Sequence, residues 1–189
     1  NIDQTIAAEL PALKFNYSSK AETIINNNRT VQVNFHEGSS LALDQQSFQL
    51  KQFHLHSPSE NTIHGKSYAM EMHLVHANAQ GEFAVVAVMF DQGQENKKLK
   101  KLWQELPKKA GSAVQLKHQD IAAAFLTEHL DYYRFNGSLT TPPCSEGVRW
   151  IVLKDIQQAS KQQIHAFSSL MEYPNNRPVQ ATNARLVLE

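Results

Sequence analysis

A single β-rich domain with a few peripheral helices is the fold class predicted for this chain, and three observations predict it. Most apolar segments are short and alternate with polar residues, the period-2 pattern of half-buried strands. The stretch 83–90, Phe83-Ala-Val-Val-Ala-Val-Met-Phe90, is continuously apolar, as a central strand covered on both faces is. Two stretches carry clear helical spacing. At 189 residues the sensible prior is one domain, long enough to bury a real core.

Taken in order, the first strand is expected at Val31–Phe35 and the second at 48–56. In a strand, residues two apart share a face, so Gln52, His54 and His56 project together while Phe53 and Leu55 point into the opposite layer. The stretch 69–76 alternates in the same way, with Glu71, His73 and Val75 on one face and Met70, Met72 and Leu74 on the other. If the two strands pair, His73 meets His54 and His56 across about 5 Å, and one zinc ion with bonds of about 2.0–2.1 Å is within reach of all three rings. Three imidazoles leave a coordination position open for a reactive water, where a fourth ligand would close the site. Gln52 and Glu71 lie beside the ligands and can accept the remaining ring N–H, which fixes tautomer and orientation. One histidine on a strand is ordinarily a satisfied core residue. An HxH pair and an ExH pair on two alternating strands favour the metal.

Glu60 sits between these strands in a Pro-containing polar loop, where by composition alone it reads as a solvated carboxylate. A further strand is expected at 148–153. The stretch 96–106 is read as a helix, with Leu99, Leu102, Trp103 and Leu106 on one side, lysines opposite and Pro107 as the stop. A second helix is expected over 160–171, with Ser160 as N-cap and Ile164, Phe167 and Leu170 as the buried stripe, and 120–125 adds a short helical turn. Both helices read as packing elements.

Net charge is zero and no basic stripe stands out, which argues against nucleic acid and anionic membrane as partners. No apolar run approaches the roughly 18 residues of a membrane-spanning helix. The motifs of other zinc hydrolases, such as HExxH, are missing.

Three strings together carry a resemblance: Gln52-Phe-His-Leu-His56, Glu71-Met-His-Leu-Val-His76 and Ser138-Leu-Thr-Thr-Pro-Pro-Cys-Ser-Glu-Gly-Val-Arg-Trp150. With Asn26-Asn27, Gln32-Val-Asn-Phe35, Asn175-Asn-Arg-Pro-Val-Gln180 and Asn183-x-Arg185, they resemble, in order over essentially the whole chain, the alpha-class carbonic anhydrases of bacterial type. The resemblance implies one domain over 1–189: a large, twisted, mostly antiparallel central sheet with peripheral short helices and zinc at the base of a conical cleft. It implies a zinc lyase in which zinc-bound hydroxide attacks carbon dioxide to give bicarbonate and a proton, reversibly, with sulfonamides and anions as inhibitors.

Residue by residue, His54, His56 and His73 resemble the zinc ligands, and Gln52 and Glu71 their hydrogen-bond partners. Thr140 resembles the gatekeeping hydroxyl that donates to Glu60 and accepts from the hydroxide, with its backbone N–H serving bound anions. Thr141 resembles a bicarbonate or inhibitor contact, and Val75, Val85, Leu139, Val148 and Trp150 the apolar wall where carbon dioxide waits. A small, neutral, apolar substrate suits such a wall. Without the flanking matches, Thr140-Thr141-Pro142-Pro143 reads as a stiff surface turn.

Two departures stand out. The family's proton-shuttle histidine follows an Asn-Asn pair by two residues, and that position here is Arg29, which stays protonated at any working pH and relays nothing. The family also opens with an aromatic-bearing segment and Gln-Ser-Pro-(Ile/Val)-Asn-Ile; this sequence starts at Asn1-Ile2-Asp3, so the N-terminal portion is expected to be missing. Cys144, the single cysteine, matches one that bacterial-type members pair near the N-terminus, which implies a disulfide and a periplasmic or secreted origin; an inert free thiol is the alternative. Bacterial-type relatives often form dimers, so a homodimer is a family expectation. A carbonic-anhydrase-like binding or structural protein without catalysis is the second reading. Such relatives usually lose a ligand, and this chain keeps all three with Glu60 and Thr140.

Overall fold

Alternation along the chain builds one mixed sheet of eleven strands among the described residues of the computed structural model, which are 1–116 and 121–189. The strands are β1 (Lys14–Asn16), β2 (Ala21–Asn26), β3 (Val31–Phe35), β4 (Ser40–Leu43), β5 (Gln46–His56), β6 (Met70–Ala77), β7 (Phe83–Gln92), β8 (Ala113–Gln115), β9 (Tyr132–Ser138), β10 (Glu146–Leu153) and β11 (Gln157–Ala159). The main path runs β8-β2-β3-β5-β6-β7-β10-β9, with β4 beside β5, β1 beside β4 and β11 beside β7. Pairing is mostly antiparallel, as expected; β10 and β11 run parallel to β7.

The apolar run of β7 is explained by its place in the middle of this path. Ala84, Val86, Val88 and Phe90 enter one apolar cluster, while Val85, Ala87 and Met89 enter a second on the opposite face. The larger cluster also takes Phe53 and Leu55 from β5 and Met70, Met72 and Leu74 from β6. Each such side chain contributes about 1.5–3 kcal/mol on burial. The opposite faces of β5 and β6 carry the histidines. β5 is not one unbroken alternation: Phe48 and Leu50 share the core with Phe53 and Leu55, so the phase must change between them. A register irregularity between Leu50 and Gln52 makes that change, and leaves Lys51 exposed.

Helix α1 (Lys97–Trp103) is shorter than expected. Asn96 caps it by accepting from the amides of Lys98 and Leu99, and Leu99 and Leu102 are buried. It unwinds ahead of Pro107, whose ring disfavours helical backbone before it. Helix α2 (Lys161–Ser168) carries the expected Ser160 cap as a full capping box with Gln163. Phe167 is buried, with Ile164 and Leu170 partly so. The short turn expected at 120–125 appears as a 3-10 turn at Ala123–Phe125; Asp120 lies outside the described residues. No helix among the described residues is long and apolar enough to cross a membrane.

His76 ends the core face of β6 and is fully buried, three residues from His73 but on the other side of the sheet. Its Nδ1 lies 3.2 Å from the Ala84 carbonyl and its Nε2 2.6 Å from the Tyr17 hydroxyl. The ring therefore donates from Nδ1 and accepts the Tyr17 proton at Nε2, a neutral tautomer. Burial pushes its pKa down to about 4 from the ordinary 6.5. The unfolded chain takes up this proton first as pH falls, so the stabilisation present above 6.5 is lost between 6.5 and about 4, by about 3 kcal/mol. Urea midpoints across that interval are expected to fall more shallowly, by about one proton's worth of slope, in His76→Phe than in the parent. Equal slopes would show that His76 is not the group responsible.

Candidate metal centre

Three imidazoles converge because β5 and β6 pair antiparallel with His54 directly opposite His73. Strand alternation puts His56 on the same face, one step along. The ring centroids lie 4.9 Å apart for His54 and His56, 5.2 Å for His54 and His73, and 4.6 Å for His56 and His73. One ligand nitrogen from each falls within 4.8 Å of the others, a span that small ring rotations close onto zinc bonds of about 2.0–2.1 Å. His56 and His73 are buried, and His54 is half-buried.

Each ring has its outward nitrogen committed. His54 Nδ1 lies 2.9 Å from Gln52 Oε1, His56 Nδ1 lies 3.0 Å from the Asn175 carbonyl, and His73 Nε2 lies 2.8 Å from Glu71 Oε1. All three partners are oxygens, so each ring donates there. The lone pairs at His54 Nε2, His56 Nε2 and His73 Nδ1 are left for a metal. His56 Nε2 is buried and has no hydrogen-bond partner. A buried nitrogen without a partner costs free energy unless something binds it, and a cation between the rings fits.

The electrostatics agree. Burial first, and then the neighbouring imidazoles, push His54 well below the ordinary imidazole range and His56 down as well, so both present neutral ligating rings. For His73 burial pulls in the same direction, but the Glu71 charge and hydrogen bond, helped by Glu60, more than offset it and raise the ring's basicity. Glu71 is fully buried; its carboxyl is nevertheless lowered to about 2, because His73 and the Asn61 amides outweigh its desolvation. Its carboxylate also accepts from the Glu60 backbone N–H at 2.7 Å.

Glu60 is not a solvated loop residue. It is buried, and its Oε1 accepts the Arg177 backbone N–H at 2.7 Å. Its Oε2 is buried without a hydrogen-bond partner, 3.9 Å from His73 Nδ1. Thr140 lines the same cleft, yet its hydroxyl does not donate to that oxygen, which corrects the bond expected between them. The fold brings the two residues to one wall; rotation about the threonine Cα–Cβ bond decides whether the bond forms. Thr141 lines the cleft too, which encloses about 650 Å³.

The five residues expected as the apolar wall cluster together, but none is among those lining the cleft, and Trp150 lines the neighbouring cavity instead. Val75, Val85, Val148 and Trp150 are buried in the second cluster, with Leu139 packed against it. The Trp150 ring meets His73 edge-on at 4.8 Å, so the cluster abuts one of the three imidazoles. Gly137 permits this: a Cβ there would lie 3.0 Å from the Trp150 ring. Arg29 is exposed on the cleft lining. Sequence reasoning missed Asn175 and Arg177 as partners of His56 and Glu60. Both stand in the Asn175–Gln180 string, but more than a hundred residues separate them from the groups they hold.

Comparison with known proteins follows the same lines. A family profile described as eukaryotic-type carbonic anhydrase matches residues 1–189. A carbonic anhydrase of Klebsiella pneumoniae is 49% identical over 191 residues, covering 100% of this chain and 78% of that protein. Among solved structures, the Photobacterium profundum alpha-carbonic anhydrase superposes with a TM-score of 0.95 at 48% identity, covering 100% of this chain and 86% of that one. The alpha-carbonic anhydrase of Thermovibrio ammonificans, in complex with the inhibitor sulfanilamide, superposes with a TM-score of 0.96 at 41% identity, covering 100% and 85%.

Proposed function

Since the chain belongs to the eukaryotic-type (alpha) carbonic anhydrase family and is thus a zinc enzyme of reversible carbon dioxide hydration, we propose how its residues divide that work. His54, His56 and His73 hold the ion through Nε2, Nε2 and Nδ1. The observation that carries this is the set of three outward nitrogens, each already donating to an oxygen, around a buried His56 Nε2 that nothing else satisfies. When bound, zinc supplies a hydroxide nucleophile from water at neutral pH, a property for which carbonic anhydrases are the reference case.

The chain's own residues supply position and environment. Val75, Val85, Leu139, Val148 and Trp150 offer carbon dioxide a dry apolar surface beside His73. Glu60, fixed through Oε1, has Oε2 open as an acceptor. With its proton turned to Oε2, the Thr140 hydroxyl shows only lone pairs to the cleft, so it accepts from a donor there and sets that donor's orientation. Thr141, further out, contacts bicarbonate. Elemental analysis with stopped-flow hydration tests the reading: about one zinc per chain is expected, with hydration abolished by sulfanilamide or another sulfonamide. A metal-free protein with no hydration activity would favour the binding-protein alternative.

Every hydration turnover must also export a proton. Arg29, at the cleft lining, cannot accept one. Turnover at low buffer is therefore limited by proton transfer. Arg29→His is expected to raise it by about tenfold or more, and imidazole buffer to accelerate the parent more than the variant. Unchanged turnover in Arg29→His at low buffer would refute this.

We also propose a periplasmic or extracellular location, which rests on the likeness of Cys144 to a cysteine that bacterial-type relatives pair. Cys144 is half-buried and free within the described residues, and the disulfide expected of it requires a second cysteine, which the 189 residues do not include. Recovery from the cytosolic fraction of the source cells would overturn the location, and sedimentation velocity reads whether the expected homodimer forms.

A further inference from the structure

The metal cleft and a second cavity have three lining residues in common among the described residues. Besides the cleft, a cavity of about 380 Å³ opens beside Trp150 and Arg185. Among the described residues, Glu60, Thr140 and Arg177 alone line both. Two of these already have roles in the proposed reaction, whereas the Arg177 side chain has none.

Arg177 holds this region through two groups. Its backbone N–H donates to Glu60 Oε1 at 2.7 Å, and its guanidinium Nη1 donates to the Ser138 hydroxyl at 3.3 Å. Ser138 ends β9 two residues before Thr140, and its carbonyl accepts from Trp150 Nε1 at 3.1 Å. One residue thus links the buried carboxylate of Glu60, the segment that bears Thr140 and the indole that packs on His73. Arg177 is half-buried, and among the described residues no carboxylate pairs with its guanidinium in an ion bridge, so the serine hydroxyl is its directed partner there. Its planar, pre-organised donors suit it to fixing one geometry, which a flexible ammonium does less well.

We infer that the Arg177 guanidinium is a positioning residue, which locks the Ser138–Thr140 segment against Glu60 and so sets the arrangement that the proposed reaction needs at the cleft wall. The inference rests on the carbonic anhydrase reading. Removing the clamp leaves the three imidazoles intact but lets the polar groups that face the ion fluctuate. Pre-organised groups stabilise the ionised form of what they face, so loosening them disfavours that form.

The test compares Ser138→Ala, Arg177→Met, the double variant and Arg177→Lys, all in the metal-loaded protein. Ser138→Ala removes a single oxygen and serves where Arg177→Met folds poorly. Each single variant is expected to lower kcat/KM by about tenfold with little change in KM, and the double variant to lose no more than either, because both break one link. Arg177→Lys should recover part of the loss. In cobalt-substituted protein, the ionisation midpoint read from the visible absorption band should rise by about half a unit in both single variants. Urea midpoints that fall while kcat/KM and the cobalt midpoint stay put would reduce Arg177 to a structural role and overturn the inference. So would loss of the metal from the variants, since positioning leaves the ligand set filled. A parent protein that binds no cobalt or zinc would defeat the carbonic anhydrase reading itself, which separates the two failures.

Discussion

Replacing His73 by alanine is expected to lower zinc affinity by about 10²- to 10³-fold, one ligand's share of the roughly 10–16 kcal/mol with which structural sites hold the ion. Hydration of carbon dioxide should fall to background. His73 is the most constrained of the three imidazoles: it is buried at 1% exposure, paired directly with His54 and flanked by Glu71 and Trp150. Among the described residues, no fourth histidine joins this cluster. The informative control is His76→Ala, which removes an imidazole from the same strand but from its opposite side. That variant should lose stability and keep its zinc. Chelator competition and stopped-flow hydration read both. A His73→Ala protein that retained stoichiometric zinc and the parent's rate would remove the metal centre proposed for this site.

Glu71 is the second residue whose loss should be severe, for a different reason. Its two oxygens accept from His73 Nε2, the backbone amides of Glu60 and Asn61, and the Asn61 side-chain amide, at 2.6–2.8 Å. Alanine there leaves the buried His73 and Glu60 donors and the part-buried Asn61 donors unpaired, and about 3–5 kcal/mol of stability should go with it. Glutamine keeps the shape, but either orientation turns an NH₂ group toward existing donors, so it is expected to help little. Zinc affinity should drop by about 10- to 100-fold in both variants, because His73 loses the partner that fixes its tautomer. The pH dependence has a definite sign. The carboxyl is lowered to about 2 from 4.5, so its stabilisation is complete above 4.5 and disappears as pH falls toward 2, by about 3 kcal/mol. Chemical denaturation from pH 7 down to 2, with zinc titration at pH 7, measures both effects. If Glu71→Gln matched the parent in each, the carboxylate would be dispensable.

Both expectations start from residues that sequence pattern singled out. Alternation over 69–76 assigns Glu71 and His73 to one face and Met70, Met72 and Leu74 to the other, and the buried clusters divide them that way. The continuous apolar run of β7 likewise announced a central strand. Short strands were less visible. β1, β8 and β11 have only three residues each, too few for a period to register. In β5 the sequence shows Phe48 and Leu50 out of phase with Phe53 and Leu55; a bulge at Lys51 reconciles them, which pattern reading alone did not recognise.

What the sequence determined by itself was the donor set and its facing, because side-chain projection in a strand repeats every two residues whatever the surroundings. The family resemblance, and not residue pattern, carried two further expectations: an apolar wall, and Arg29 where the family has a titratable histidine. Only the tertiary structure decided which nitrogen of each ring is left for the metal. That choice depends on an oxygen from Asn175 reaching His56 and a carboxylate from Glu71 reaching His73, and a hydrogen bond acts only across about 3 Å. The loop that brings Asn175 and Arg177 to the cleft lies over a hundred residues from the strands it serves, and no local periodicity encodes so distant a contact.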